Sequence, residues 1–148
     1  MEQTEKQALL LDNQLCFPLY ACSREIIKRY RQYLDPIGLT YTQYVTMLVM
    51  WEEQAVSVKA LGARLYLDSG TLTPVLKSLE QKGLITRKRS EKDERVLIAA
   101  LTEQGAALAE QAAGIPAQMC KNSPLTLEEA GQLQYLLKKM LSGGHCAE

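Results

Sequence analysis

At 148 residues the chain is long enough for one domain with a real core, and 47% hydrophobic with 23% charged residues is an ordinary globular balance. No apolar run approaches the ~20 residues that span a bilayer, and the mixed, acidic N-terminus (Glu2, Glu5) is no signal peptide, so a cytoplasmic protein with no membrane role is expected. Four cysteines without a CxxC spacing, and one histidine (His145) in a Gly-rich tail, argue against a disulfide framework, a metal or cofactor site and a histidine-based triad.

The formal net charge of zero argues against nucleic acid only until the charges are placed. Residues 57–95 hold nine Lys/Arg against five Asp/Glu, so that segment is +4 and the remainder −4. Phosphate contacts depend on local basic surface more than on the total.

Residues 1–12 read as a polar lead that turns apolar at Leu9, Leu10 and Leu11. A helix is expected over about 12–34, capped by Asp12 or Asn13, with its regular part beginning near Pro18 and Cys16 in an irregular first turn. Asp35-Pro36 and Gly38 break the chain, and Thr40 with Gln43 has capping-box spacing for a second helix over 41–53. Its Met50-Trp51 pair reads as core. Ser57 caps a short third helix ending near Leu65. After the turn at Asp68-Ser69-Gly70, Leu72, Val75, Leu76 and Leu79 give a fourth helix one apolar face, and Gly83 ends it.

Residues 84–89 and 95–101 are β-capable runs around a charged turn, which predicts a hairpin. Thr102 caps a fifth helix to about Lys121, kinked at Gly114 and Pro116. Thr126 and Glu129 box the start of a last helix with Leu133, Leu136, Leu137, Met140 and Leu141 on one face. Ser142-Gly143-Gly144 opens a frayed tail.

Helix, tight turn, helix and basic hairpin form a winged helix-turn-helix pattern. The expected fold is mostly α with a small β-hairpin wing, in a single domain over 1–148. Residues 55–101 would form the DNA lobe, with 12–34 and 102–141 as dimerisation helices. The fourth helix would offer Ser69, Thr71, Thr73, Pro74, Lys77 and Gln81 to a major groove, and the hairpin carries Arg87, Lys88, Arg89, Lys92 and Arg95 for a minor groove. Charge runs alone are more often a solvated face. Long terminal helices outside the compact unit add a second argument, because they need a partner and a two-fold homodimer is the commonest one.

Asp93-Glu94-Arg95, followed by Leu101-Thr102-Glu103 and Gly105, resembles the wing and its exit in the MarR family of regulators. Leu67-Asp68-Ser69-Gly70-Thr71-Leu72-Thr73-Pro74 with Lys77 is similar to the recognition helix of one subgroup, the OhrR-type organic hydroperoxide sensors. Leu11-Asp12-Asn13-Gln14-Leu15-Cys16-Phe17 with Leu19-Tyr20, and Gly38-Leu39-Thr40-Tyr41 with Gln43-Tyr44, resemble two further blocks of that subgroup. Together the blocks span about residues 10–120.

The resemblance implies a homodimeric repressor that binds a pseudo-palindromic duplex operator and leaves it when Cys16 is oxidised by an organic hydroperoxide. It implies that the hydroxyls of Tyr30 and Tyr41, from the other subunit, hydrogen-bond the Cys16 sulfur, with Tyr20 near the pocket. It implies a DNA surface that includes Asp68 and Arg95, beside the Arg87 and Arg89 of the basic hairpin. Two-cysteine members carry a resolving cysteine in the region of Cys120; otherwise a low-molecular-weight thiol can take that role. Pro18 departs from the family, which has a helix former there.

A free cysteine is most often a small buried hydrophobe, and helical tyrosines are most often packing residues with a wet hydroxyl. Cys16 stands apart because a helix start stabilises an anion, and a thiolate reacts with a peroxide to give sulfenic acid. Cys22 is ~9 Å further along the helix and turned away, too far to bridge Cys16 within one chain. Cys146 lies in the tail.

Three other functions compete with the redox switch: a regulator released by a small phenolic ligand, a thiol peroxidase, and a structural helical dimer. The peroxidase lacks an arginine beside Cys16 and a thioredoxin-like βαβ pattern, so no enzyme is expected. The wing argues against the structural dimer.

Overall fold

The computed structural model describes residues 3–143 and divides into two compact units, Met1–Gly114 and Ile115–Glu148. His145 and Cys146 lie outside the described residues. The expected polar lead instead contains α1 (Gln3–Ala8), and Asp12 and Asn13 sit in a 3-10 turn over Leu11–Asn13. Neither caps the long helix. Asn13 Nδ2 donates to the Gln7 carbonyl at 2.8 Å, and the residue before α2 (Cys16–Leu34) is Leu15, which has no side-chain cap to offer.

The regular helix therefore begins at Cys16 and not near Pro18. Pro18 is the third residue of α2, inside the first turn, where backbone N–H groups have no partner within the helix. The proline ring costs no hydrogen bond there, which removes the conflict its sequence position suggested.

Gly38, in the left-handed conformation, closes the Asp35–Ile37 turn and leads to α3 (Tyr41–Glu53). The Thr40–Gln43 box is formed as expected, with Gln43 N donating to Thr40 Oγ1 at 3.3 Å and Thr40 N donating to Gln43 Oε1 at 3.1 Å. A strand that the sequence reading missed, β1 (Ala55–Ser57), follows. Ser57 Oγ then accepts from Ala60 N at 3.1 Å to start α4 (Val58–Leu65), and Asp68 Oδ1 accepts from Thr71 N at 2.8 Å to start α5 (Ser69–Gln81).

The turn between α4 and α5 is tight for two local reasons. Tyr66 takes the left-handed conformation at φ 53°, and a Cβ on Gly62 would lie 2.8 Å from the Leu67 carbonyl oxygen, which no real side chain tolerates. Gly83, at φ 73°, ends α5 and turns the chain into β2 (Ile85–Arg89).

β2 pairs antiparallel with β3 (Leu97–Leu101), Ile85 opposite Leu101 and Arg89 opposite Leu97, as the hairpin pattern predicted. β1 pairs on the other side of β3, Val56 opposite Ala99, so the sheet order is β1-β3-β2. Leu61, Leu72, Leu76, Leu79, Ile85 and Ala99 are buried, as are Met47 and Met50 of α3. Each fully buried aliphatic side chain contributes about 1.5–3 kcal/mol. That apolar core holds the presenting face of α5 and the wing in one body.

The expected helix over 102–121 is two helices. α6 (Glu103–Ala112), capped by Thr102, ends before Gly114, and α7 (Ile115–Lys121) begins beyond it with Pro116 in its first turn. α6 is tied to the sheet body: Thr102 Oγ1 donates to the Gly83 carbonyl at 2.6 Å and Trp51 Nε1 donates to the Gly105 carbonyl at 2.8 Å. Trp51 is thus half-buried and bonded rather than plain core. In the second unit α8 (Leu127–Ser142) starts at the formed Thr126–Glu129 box. Leu133, Leu136, Met140 and Leu141 are exposed along it.

Candidate nucleic-acid interface and cysteine site

Ser69, Thr71, Thr73, Pro74 and Lys77 are all exposed, because Leu72, Leu76 and Leu79 turn the opposite face of α5 into the core. Thr73 Oγ1 donates to the Ser69 carbonyl at 2.7 Å. Pro74 removes the N–H that would have bonded the Gly70 carbonyl, so this turn of helix shows more backbone than usual. Asp68 is exposed too, and its carboxyl lies below the ordinary aspartate range because it accepts the Thr71 backbone N–H.

The wing sorts its arginines into two kinds. Arg87 is held inside the lobe: its Nη2 lies 3.0 Å from Glu80 Oε2, and its backbone N donates to Glu80 Oε1 at 3.0 Å. That pairing pulls the Glu80 carboxyl below its usual range and staples β2 to α5. Arg87 therefore braces the wing and does not reach outward. Arg95 is the opposite case, with 91% of its side chain exposed. The Asp93 carboxylate grips it from one side through Nε at 3.1 Å and Nη2 at 3.2 Å, and also accepts the Arg95 backbone N–H at 3.0 Å. Arg89 is exposed beside it, with Nη1 3.4 Å from the Arg95 carbonyl oxygen.

Between wing and helices lies a cleft of about 480 Å³, where Ser57, Lys59, Ser69 and Arg95 stand over Leu67, Leu72 and Val96. Lys59 and Ser57 escaped the sequence reading as parts of this surface. A single lysine on an eight-residue helix carries no pattern, and only the fold brings α4 beside the base of the wing.

Cys16 is exposed at the first position of α2, where the helix N–H groups lack a side-chain cap. Tyr20, one turn on, is exposed, and the Arg24 guanidinium lies 5.4 Å from its ring centre. Tyr30 and Tyr41 are elsewhere. Their ring centres are 4.9 Å apart, and Tyr44 joins them at 5.7 Å from Tyr30 and 6.4 Å from Tyr41. Burial raises the pKa of both Tyr41 and Tyr44 above the ordinary tyrosine value, with Tyr41 adding to the effect at Tyr44. Both phenols therefore stay protonated, and able to donate, throughout the neutral range.

Fourteen residues of one helix separate Cys16 from Tyr30, a rise of ~21 Å. One chain cannot bring the sulfur to this tyrosine pair. Cys22 and Cys120 are also exposed free thiols, on α2 and α7. Among the described residues no His/Cys/Asp/Glu group is placed to hold a metal ion, and no helix is long and apolar enough to cross a membrane.

Residues 25–111 match the family described as Transcriptional regulator SarA/Rot. Over 135 residues the chain is 51% identical to the organic hydroperoxide resistance transcriptional regulator of Bacillus subtilis strain 168, covering 91% of this chain and 92% of that one. The fold is similar to reduced AbfR bound to DNA, AbfR being a Staphylococcus epidermidis protein, with a TM-score of 0.78, 35% identity and coverage of 95% and 94%. It is also similar to a cysteine-to-serine mutant of Escherichia coli MarR complexed with operator DNA, with a TM-score of 0.74, 29% identity and coverage of 86% and 93%. The chain belongs to the MarR family of winged-helix transcriptional regulators.

The Asp93–Arg95 pair holds one side chain of the hairpin in place. An arginine exposed on a hairpin tip samples many rotamers, and a carboxylate that fixes its guanidinium removes part of that entropy before any partner arrives. The Asp-x-Arg spacing was legible in the sequence; the orienting role of Asp93 is added by the geometry.

Proposed function

We propose that this MarR-family protein is a homodimeric repressor that holds a pseudo-palindromic operator while Cys16 is reduced and releases it when an organic hydroperoxide oxidises Cys16. The observation that carries the reading is the separation just described. The exposed helix-opening Cys16 and the Tyr30–Tyr41 pair lie at opposite ends of α2, so only a second copy can complete the pocket. The relatives support it, since one is a hydroperoxide resistance regulator and AbfR has also been solved in a disulfide-formed state, with a TM-score of 0.60 and 33% identity. The exposed apolar residues of α2 (Phe17, Leu19, Ile26, Ile27) and of α8 (Leu133, Leu136, Met140) supply surface for such a dimer.

In the chemical step the Cys16 thiolate attacks the terminal oxygen of R–O–OH. An S–O bond forms and the O–O bond breaks. The alkoxide leaves and takes a proton to become the alcohol, so the peroxide is reduced by two electrons and Cys16 becomes a sulfenic acid. Condensation with a thiol, from Cys120 of the partner subunit or from a small cellular thiol, then gives a disulfide and water. One oxidation switches one site, so the chain works as a sensor and not as a turnover enzyme, in the cytoplasm with its DNA. Tyr20, near the pocket mouth, supplies an aromatic wall suited to an organic peroxide.

On DNA, α5 enters the major groove with Ser69, Thr71, Thr73, Pro74 and Lys77, Asp68 fixing its first turn. Arg95, with Arg89, enters the adjacent minor groove, and Arg87 acts by bracing the wing. The test is a mobility-shift titration of the reduced protein on operator DNA, with and without an organic hydroperoxide. Release that a thiol reductant reverses is expected; binding unchanged by oxidant would sink the reading. In the same assay Arg95→Ala weakens binding and lowers the slope of log affinity against log salt by about one. A slope equal to that of the wild type would take the wing off the DNA.

A further inference from the structure

We infer that Gln43 is the positioning residue that couples the tyrosine pocket to the recognition helix α5. The inference rests on the redox-switch reading above. In the sequence Gln43 reads as the second half of a capping box and as part of a block that resembles the OhrR-type subgroup, and the capping role uses one bond of its side chain, from Thr40 N to Oε1 at 3.1 Å. The same Oε1 accepts a second hydrogen bond from Lys82 Nζ at 2.8 Å, and Nε2 donates to Ser78 Oγ at 2.9 Å. Ser78 lies in the last turns of α5 and Lys82 is its C-cap. Lys82 Nζ also donates to the Gly38 carbonyl, so the start of α3 and the end of α5 are laced together through one carboxamide and one ammonium.

The side chain is buried, at 6% exposure, and no buried side-chain nitrogen or oxygen among the described residues lacks a partner. A buried amide gives up such bonds at a high cost, so displacement of one end carries the other with it. One end is in the pocket. Tyr41 is the first residue of α3, two before Gln43 in the same helical turn, and its ring packs against that of Tyr30 at a tilt of 55°. The other end is the buried side of the helix whose exposed side presents Ser69, Thr71, Thr73 and Lys77. A shift of Tyr41 when the facing cysteine gains an oxygen therefore reaches α5 through Gln43. A glutamate would cap α3 equally well; the amide adds a donor for Ser78, whose hydroxyl can reverse its role if a carboxylate stands there.

Three variants test this: Ser78→Ala, which removes the α5 partner; Gln43→Leu, which removes the link; and Gln43→Glu, which keeps a bonded link. Operator affinity is measured before and after organic hydroperoxide. Sulfenic acid at Cys16 is followed by dimedone labelling and mass spectrometry.

All three are expected to bind operator when reduced and to oxidise at the wild-type rate. The factor by which oxidation weakens binding should fall about fivefold or more in Ser78→Ala and Gln43→Leu, and stay near wild type in Gln43→Glu. A wild-type factor in Ser78→Ala and Gln43→Leu, or its loss in all three, overturns the inference while leaving the redox switch standing. If Gln43→Leu does not fold, Ser78→Ala decides. If the wild type itself ignores hydroperoxide, the redox reading fails and the coupling role goes with it.

Discussion

Cys16→Ser should bind operator DNA as the wild type does and remain bound at hydroperoxide concentrations that release the wild type. Serine places an oxygen where the sulfur was, at the exposed first position of α2, where nothing in the core depends on the exchange. Fold and dimer are therefore retained. A hydroxyl does not give a sulfenic acid with a peroxide, so the switch loses its input. A hundredfold loss of operator affinity corresponds to about 2.8 kcal/mol, which is the scale of one or two hydrogen bonds to a charged sulfur being broken or redirected. A change of that size is thus within reach of the Cys16 environment alone. Fluorescence anisotropy on labelled operator during hydroperoxide addition measures it, with Cys22→Ser and Cys120→Ser as companions. If Cys16→Ser dissociates like the wild type, another group is the sensor, and the DNA-binding reading survives.

What was legible in the sequence was local. The side chains of Thr40, Ser57, Asp68, Thr102 and Thr126 announce five helix starts, and each forms its cap in the structure. A cap is a bond between residues three apart, so spacing alone reveals it. The same logic failed at α2, where Asp12 and Asn13 had the right chemistry at the wrong place. Leu15 precedes the helix, and the residues before it form their own 3-10 turn.

Features fixed by distant residues were not legible. β1 is three residues long and exists because Val56 meets Ala99, more than forty positions away. Arg87 carries the same charge as Arg95 and lies in the same basic run, yet Glu80 on α5 pairs with it and leaves its side chain only 20% exposed, against 91% for Arg95. Gln43 read as a cap because its bonds to Ser78 and Lys82 cross 35 and 39 residues. The cysteine site lies at the far end of this scale: Cys16 and the Tyr30–Tyr41 pair stay apart within one chain, and the resemblance alone placed them in one pocket.

A mixed dimer should settle whether that pocket is built in trans. One chain carries Cys16→Ser; the other carries Tyr30→Phe and Tyr41→Phe together. If each cysteine uses the tyrosines of its partner, the mixed dimer contains one pocket with neither feature and one fully wild-type pocket. If each used its own tyrosines, the only remaining cysteine would face two phenylalanines. A phenol donating to a thiolate is a hydrogen bond to a charged group, worth about 1.5–3 kcal/mol, or roughly ten- to 150-fold in a rate that depends on it. The removed hydroxyls leave the aromatic cluster in place, because Tyr30, Tyr41 and Tyr44 meet through their rings. Tandem affinity tags isolate the mixed species, and dimedone trapping follows Cys16 oxidation in it. Oxidation at the wild-type rate in the mixed dimer, against slow oxidation in the homodimer of the double phenylalanine chain, is the expected pattern. Equal slow rates in both would place the tyrosines with their own chain's cysteine. The ~21 Å of helix between Cys16 and Tyr30 makes that arrangement unreachable without unwinding α2, so such a result would also overturn the dimer on which the switch depends.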